Sequence, residues 1–356
     1  MKTNHNNFLE LAFNFAKINL GKTSINPSVG CVVVKDNSVI SSGYTSINGR
    51  PHAEYNALNS RKDFRNSDLY VTMEPCTHYG LTPPCINIIK KKGIKRVFFS
   101  FYDVDKRTSK KSVKKLNKVQ IKVYKKINKN YKDFYQSYFS NKKYNLPYVD
   151  AKIAVSKDYF TINKNSKWIT NFFSRNRVHL IRSEYDCIVS TSKSINRDNS
   201  LLNCRLKGFN NDKPDLVIID LNLKIKKNLN LFKNINKRKI FIVTTIFNSK
   251  KINYLKNKGL KIISIKSLNS KKDFLNLFRI IKKNGYNRVL VESGLFFLNR
   301  LLKEKLIFNL YMFKTSIKLG KKGKNNTSNK AIKRLKLSNK IAVNLNGDNL
   351  YKVKIK

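Results

Sequence analysis

One imidazole, two thiols and a carboxylate stand out early in the chain: Pro51-His52-Ala53-Glu54, then Glu74-Pro75-Cys76, then Pro83-Pro84-Cys85. His52, Cys76 and Cys85 offer three zinc ligands, and three protein ligands leave the fourth tetrahedral position to water, as hydrolytic zinc sites require. Glu54, two residues past the imidazole, need not touch the metal. It is placed to take a proton from an activated water and hand it to a leaving amine. Taken singly, a histidine at a helix start or a Pro-Cys pair reads as structure, because cysteine is among the most buried residue types. Their combination points to hydrolytic zinc chemistry.

The elements that must position these groups alternate along the chain. Phe8, Leu11, Ala12, Phe15 and Ile18 recur at helical spacing within 6–18. Residues 29–35 and 38–44 read as strands joined by a tight turn at Asp36-Asn37. Helix over 53–61, strand over 68–73, helix over 85–92, strand over 96–101, helix over 110–118 and strand over 120–124 follow, which is a layered α/β pattern. His52 therefore precedes a helix, Cys76 follows a strand, and Cys85 opens a helix whose free N–H groups favour a thiolate. The three ligands are expected to meet at one end of the sheet. Cys31, alternating within a strand, is expected in the core.

A stretch rich in lysine and tyrosine, 125–146, ends at Leu146-Pro147, where the residue before proline is biased away from helix. The domain boundary is placed near 145, giving domains 1–145 and 146–356. The second domain restarts as a strand at 147–155, with helices expected near 171–182, 249–257, 271–283 and 294–303. Strands are expected at 186–191, 215–220, 239–244, 260–265, 288–292, 306–315, 341–345 and 350–355. Residues 320–330 read as a flexible, solvated loop, and no internal repeat relates the halves. No G-x-G-x-x-G follows a strand, so a Rossmann fingerprint is absent. Read plainly, Lys152 is a solvated strand edge, Trp168 a core residue and Arg182 a surface charge at a helix end.

The His52, Glu54, Cys76 and Cys85 motif resembles the cytidine deaminase superfamily, but eight residues separate the cysteines, with Thr77–Thr82 as an inserted loop. With Asn26-Pro27-Ser28-Val29-Gly30 upstream, the pattern over roughly 5–100 resembles the deaminase half of the bacterial bifunctional riboflavin-biosynthesis (RibD) family. That resemblance implies an N-terminal cytidine deaminase-like three-layer α/β domain. Its substrate would be a 2,5-diamino-6-ribosylaminopyrimidinone 5′-phosphate, losing the C2 amino group by hydrolysis. Glu54 would be catalytic, with Asn26 and His78 as substrate contacts. One stretch departs from the family: a loop rich in proline and glycine after Asp103 is replaced by 104–112, where Lys106 and Arg107 remain available to a phosphate.

The second half resembles the family's reductase half over roughly 147–300, through Lys152–Asp158, Asn165–Thr170, His179–Arg182, Arg197–Arg205 and Val291–Gly294. The resemblance implies a dihydrofolate-reductase-like α/β domain that uses NADPH to reduce the ribosylamino group to ribitylamino. Substrate contacts are then expected at Ser166, Arg182, Leu202, Arg205 and Glu292. Cofactor contacts are expected at Val155, Trp168, Thr170, Ser194, Asp198 and Gly294. Departures fall at Lys157-Asp158-Tyr159, Asp220-Leu221 and Phe308-Asn309, where the family has Leu-Asp-Gly, Asp-Ser and an acidic pair.

Composition bounds these readings. The 356 residues suffice for two cores, with 41% hydrophobic and 11% aromatic residues. Net charge is +53, from 27 basic against 9 acidic residues in 1–144 and 47 against 12 in 145–356, so neither half is a basic tail. Only 15 of the 74 basic residues are arginine, while asparagines number 47 and alanines 8, which reads as a global compositional bias. Five cysteines fit a reducing compartment, and no 18-residue uncharged apolar run occurs, so a cytoplasmic protein without a membrane span is expected. A homo-oligomer with no specific nucleic-acid partner is a separate expectation. A tRNA-editing enzyme is the competing reading, disfavoured by the long Cys76–Cys85 spacing and the absence of an Arg-rich stretch. A structural zinc module is disfavoured because three ligands leave an open site.

Overall fold

Runs of valine and aromatic residues build the first sheet of the computed structural model, which describes residues 4–127, 131, 133–208, 214–233, 235–326, 332–337 and 340–356. The chain falls into two compact units, Met1–Asn145 and Leu146–Lys356. In the first, β1 (Gly30–Lys35), β2 (Ser38–Tyr44), β3 (Asp68–Met73), β4 (Arg96–Phe101) and β5 (Lys122–Lys125) pair in the order β2-β1-β3-β4-β5. The β1 strand is antiparallel to β2 and β3, whereas β3, β4 and β5 run parallel. The Asp36-Asn37 turn has both residues at positive φ, 51° and 59°, which suits the twist of a two-residue hairpin.

Strand alternation sorts the side chains into two layers. Val32, Val34, Tyr70 and Phe98 pack with Leu9 and Ala12 of α1 (His5–Ile18). Cys31, Val33, Val71 and Phe99 face α2 (Ala53–Leu58), α3 (Cys85–Lys91) and α4 (Lys111–Asn117). Gly43 lets α2 lie against β2: a Cβ there would sit 2.5 Å from the Ala53 carbonyl and the Ala57 amide. That close approach fixes the helix whose start carries His52 and Glu54. A further helix, α5 (Gln136–Tyr144), follows within the lysine- and tyrosine-rich stretch 125–146, for which the sequence reading named no element and of which 128–130 and 132 lie outside the described residues.

The second unit holds β6 (Tyr148–Val155), β7 (Phe160–Asn163), α6 (Phe172–Ser183), β8 (Cys187–Thr191), α7 (Ser192–Asp198), β9 (Asp215–Ile219), β10 (Ile240–Thr244) and α8 (Lys250–Asn257). It continues through β11 (Lys261–Ser264), α9 (Lys271–Lys283), β12 (Arg288–Val291), α10 (Leu295–Lys303), β13 (Asn309–Lys314), β14 (Gly323–Asn326) and β15 (Asn349–Lys354). Eight strands form one sheet in the order β11-β10-β9-β8-β12-β6-β13-β15, with β15 antiparallel to β13 and every other pair parallel. Its two faces carry separate cores, one with α9 and α10 and the other with α6 and α8.

Several sequence expectations change here. Residues 341–345 are not a strand; only isolated bridges at Lys340–Tyr351 and Leu345–Asp348 form. Within the stretch read as a solvated loop, residues 323–326 are β14, paired with β7, while 327–330 lie outside the described residues. The helix expected over 53–61 stops at Leu58. Among the described residues no helix is long and apolar enough to cross a membrane.

Candidate active sites

The first site is built by three chain turns at the carboxyl side of β3. His52 caps α2, Cys76 follows β3 through Glu74-Pro75, and Cys85 is the first residue of α3. The His52 Nδ1 atom lies 3.4 Å from Cys85 Sγ and 3.6 Å from Cys76 Sγ, and all three ligand atoms fall within 4.8 Å of one another. Tetrahedral zinc with its usual bond lengths holds such donors about 3.6 Å apart, so the donor set and its spacing fit the ion. The Cys85 backbone N–H donates to Cys76 Sγ at 3.2 Å. The Cys85 thiol, with that amide and His52, holds Cys76 well below the ordinary thiol range, while its neighbour's charge and burial push Cys85 up. A dication among them would favour the thiolate form of both.

Glu54 is 4% exposed, and burial raises its pKa to about 7, with the negative Cys76 adding to the shift. A carboxyl in that range both accepts and releases protons near neutrality, although a dication beside it would lower the value. Cys31 is fully buried in β1.

Two expected substrate contacts rim this cluster. The Asn26 amide donates to the Gly49 carbonyl at 2.9 Å, which ties the loop before β1 to the segment entering His52. The His78 Nδ1 atom pairs with the Thr108 hydroxyl at 2.9 Å, so Nε2 is the ring nitrogen left to a ligand. The loop that lacks the family's glycines is ordered by acidic groups instead. Glu74 accepts from the amides of Asp103, Lys110 and Ser112 and from the Ser112 hydroxyl, at 2.8–3.3 Å. This role of Glu74 was not read from the sequence. Arg107 is engaged by Asp105 through Nε and Nη2, which turns it to a local ion pair.

The second site gathers at the carboxyl ends of the parallel strands, where α/β sheets bind ligands. Glu292 follows β12 directly and receives Arg182 in a fork, Nε to Oε1 at 2.6 Å and Nη2 to Oε2 at 3.0 Å. The Arg182 Nη1 atom also donates to the Asn203 carbonyl, and Lys152 Nζ stands 3.6 Å from Glu292. Burial alone would raise Glu292; Arg182 and Lys152 overcome it and hold the pKa at about 2. Arg182 is therefore a buried partner rather than a surface charge, and Lys152, on a central strand, is no solvated edge.

Arg205 is exposed, with Nη1 on the Asn203 side-chain oxygen at 2.6 Å and its backbone N–H on His179 Nδ1. Burial, then Arg182 and Arg205, lowers His179 to about 4, so its ring is neutral at pH 7. Leu202 is buried at φ 53°, and Arg238, which sequence reading missed, donates to the carbonyls of Leu201, Leu202 and Pro214. It sits between Lys237 and Lys239, where one more cation in a lysine-rich chain gave no signal.

Of the expected cofactor contacts, Ser194 and Gly294 adjoin: a Cβ on Gly294 would stand 3.3 Å from Ser194 Oγ. Gly294 caps α10, and Thr191 caps α7 by accepting from the Ser194 amide. Val155 ends β6 with a fully buried side chain, and its carbonyl accepts from the Thr315 amide at 3.0 Å. Trp168 is 50% exposed, not core, and lies 5.2 Å from the Arg175 guanidinium. Arg175 also donates to the Thr170 carbonyl, while Ser166 is exposed and accepts from the Trp168 amide. Asp198 pairs with the adjacent Arg197.

The departures from the family are locally compensated. Tyr159 takes the left-handed conformation, φ 67°, that glycine would hold, with its ring 4.4 Å from Lys314 Nζ. Asn309 donates to buried Asp150 and to Tyr148, a position where a carboxylate would face Asp150 instead. Asp220 accepts from Ser192, Lys224 and Ile225, whatever follows it at Leu221.

Comparison with known proteins agrees with this division. The family described as "RibD C-terminal domain" matches residues 147–351, and "Cytidine and deoxycytidylate deaminase zinc-binding region" matches 2–101. The chain is 31% identical to the riboflavin biosynthesis protein RibD of Aquifex aeolicus over 311 residues, covering 86% of this chain and 85% of that one. The RibD of Buchnera aphidicola is 30% identical over 324 residues, with 86% and 85% covered. Among solved structures, a diaminohydroxyphosphoribosylaminopyrimidine deaminase/5-amino-6-(5-phosphoribosylamino)uracil reductase of Thermotoga maritima superposes with a TM-score of 0.84 at 26% identity, over 99% of both chains. Acinetobacter baumannii RibD gives 0.82 at 25% identity, again over 99% of both.

Proposed function

The chain belongs to the RibD family of bifunctional riboflavin-biosynthesis enzymes, and from that premise we propose how its own residues divide the two reactions. The enzyme deaminates the diaminopyrimidine ribotide hydrolytically and reduces the resulting 5-amino-6-(5-phosphoribosylamino)uracil at its ribosyl group with NADPH. The observation that carries the site assignment is the convergence of His52 Nδ1 and two cysteine sulfurs beside a buried Glu54.

In the deaminase half, His52, Cys76 and Cys85 hold zinc. The bound ion supplies Lewis acidity and a water acidic enough to ionise near neutral pH. Glu54 takes the proton of the attacking water at its carboxylate and returns it to the amine leaving C2. Asn26 and His78 orient the pyrimidine ring from the two rims of the cluster.

In the reductase half, Arg205 binds the 5′-phosphate with the guanidinium donors that Asn203 leaves open, and Arg182 is held rigid behind it by Glu292. Ser166 and Leu202 complete the substrate contacts. Val155, Trp168, Thr170, Ser194, Asp198 and the α10 start at Gly294 would line the NADPH site, and the cofactor, when bound, would supply the hydride for C1′. Pre-set side chains matter here because the protein's task is positioning and exclusion of water.

Incubating zinc-loaded protein with the diaminopyrimidine ribotide, with and without NADPH, separates both steps by mass. Deamination shifts the substrate by about +1 and reduction adds two hydrogens, as the replacement of NH by O and hydride addition require. Ammonia release without NADPH oxidation would restrict the assignment to the first half.

A further inference from the structure

Two tyrosines on the segment that leaves the first unit reach back to the loop carrying Asn26 and to the loop whose Thr108 holds His78. Tyr135, the N-cap residue of α5, is 2% exposed, and its hydroxyl lies 3.1 Å from the Ser28 carbonyl and 2.6 Å from Thr72 Oγ1. The protons can be assigned. A carbonyl only accepts, so Tyr135 spends its one proton on Ser28 and must receive from Thr72. Thr72, having donated, accepts from the Gly30 amide at 3.1 Å. The result is a directed chain from Gly30 through Thr72 and Tyr135 to Ser28, linking β1, β3 and α5. Every buried member is satisfied.

The chain fixes the Asn26–Ser28 loop against β3, the strand that leads to Cys76. One turn along α5, the Tyr138 hydroxyl donates to Asp103 Oδ1 at 2.9 Å. Asp103 opens the loop whose Thr108 holds His78 Nδ1, and its own amide donates to Glu74. Each tyrosine thus ends on a different rim of the zinc cluster. The rings are seated independently of the hydroxyls: Tyr135 lies edge-on to Phe101 and Phe134, with centroids 5.5 and 5.0 Å away.

We propose that Tyr135 and Tyr138 are positioning residues for deamination, holding the Asn26 and His78 rims at the separation the pyrimidine requires. This rests on the deaminase reading above. Among the described residues, neither hydroxyl hydrogen-bonds His52, Cys76 or Cys85.

The test uses the full, zinc-loaded chain, with ammonia release, zinc content and NADPH-dependent reduction measured on each preparation. Tyr135→Phe and Tyr138→Phe keep the rings and remove one hydrogen-bonding group each. Each should raise KM for the diaminopyrimidine ribotide about fivefold, the effect of one lost net hydrogen bond, while zinc content and reduction stay unchanged. Thr72→Val should reproduce the Tyr135→Phe effect and Thr72→Ser should not, since serine preserves the hydroxyl relay. The Thr72→Val/Tyr135→Phe pair should be far from additive. Unaltered KM in both phenylalanine variants overturns the proposal, as does activity lost only in proportion to zinc. A parent enzyme that binds zinc and reduces but never deaminates would instead overturn the deaminase reading itself.

Discussion

Glu54 and His179 show how burial gives two titratable side chains opposite uses. Glu54 is enclosed next to sulfur ligands and can hold or release a proton at the pH of the reaction. Replacing it by glutamine preserves shape and all three metal ligands but removes the proton acceptor. Turnover in deamination should fall by about 10²–10⁴ with zinc content unchanged, the usual scale of a lost general base. Ammonia release and metal analysis on one sample check this. His179 is instead kept neutral by burial, Arg182 and Arg205, with a pKa near 4. Its folded value lies below the unfolded value of about 6.5, so the unfolded chain binds the extra proton as the pH drops. Stability is unaffected above that unfolded value and is lost as pH falls toward 4, by about 2 kcal/mol between pH 7 and 5. His179→Gln should flatten that part of the acid limb relative to the parent in denaturant titrations at several pH values. An identical pH profile in the variant would show that other groups set the slope.

At the scale of elements, the Glu74 carboxylate gathers the Asp103, Lys110 and Ser112 amides into one buried knot. Glu74→Ala strands those donors and should destabilise the first unit by about 3 kcal/mol or more, since each unsatisfied buried group costs about 1–3 kcal/mol. The midpoint of the first unit's denaturant transition should drop while reductase activity survives; equal loss from both halves would contradict the local role. This knot was not legible because the residues joining Glu74 lie far along the chain and three of its four donors are backbone amides. What was legible followed strong periodicity: β3, β4 and α9 fall at their expected bounds because apolar residues alternate or recur without interruption. The meeting of His52, Cys76 and Cys85 was legible because these residue types are rare and their spacing chemical. By contrast α5 buries Ser137, Tyr138 and Ser140, so it carries no apolar stripe for periodicity to find. The lysine and asparagines of β14 read as loop, and its pairing with β7 across so long a stretch of chain leaves no local trace. Trp168 was misread for a different reason: a large aromatic is usually buried, and here its half-exposed face stands beside Arg175.

The whole molecule carries a charge its folds do not need. With 74 basic and 21 acidic residues, most cations have no acid to pair with, and several acids are already committed inside, as Glu292, Glu74 and Asp150 are. Phosphate contacts made by such a surface carry no base information, so attraction to nucleic acid follows charge alone. The same excess sets lysines against one another in the folded state and relaxes when the chain expands, so self-repulsion works against folding. Salt shortens the reach of that repulsion, from a Debye length of about 30 Å at 0.01 M to about 8 Å at 0.15 M. Buried pairs such as Arg182–Glu292 are screened far less than the exposed lysines, so the net effect of added salt has one sign. The unfolding temperature of the zinc-loaded protein should rise by several degrees between 0.01 and 0.3 M sodium chloride, at about 2–4 °C per kcal/mol for a unit of this size. Most of the rise should come below 0.15 M, where the Debye length changes most. Differential scanning calorimetry across that range reads it directly, and sodium chloride separates screening from the general stabilisation that sulfate gives by exclusion. A flat or falling unfolding temperature would mean that the lysines are already spaced widely enough for their repulsion not to matter.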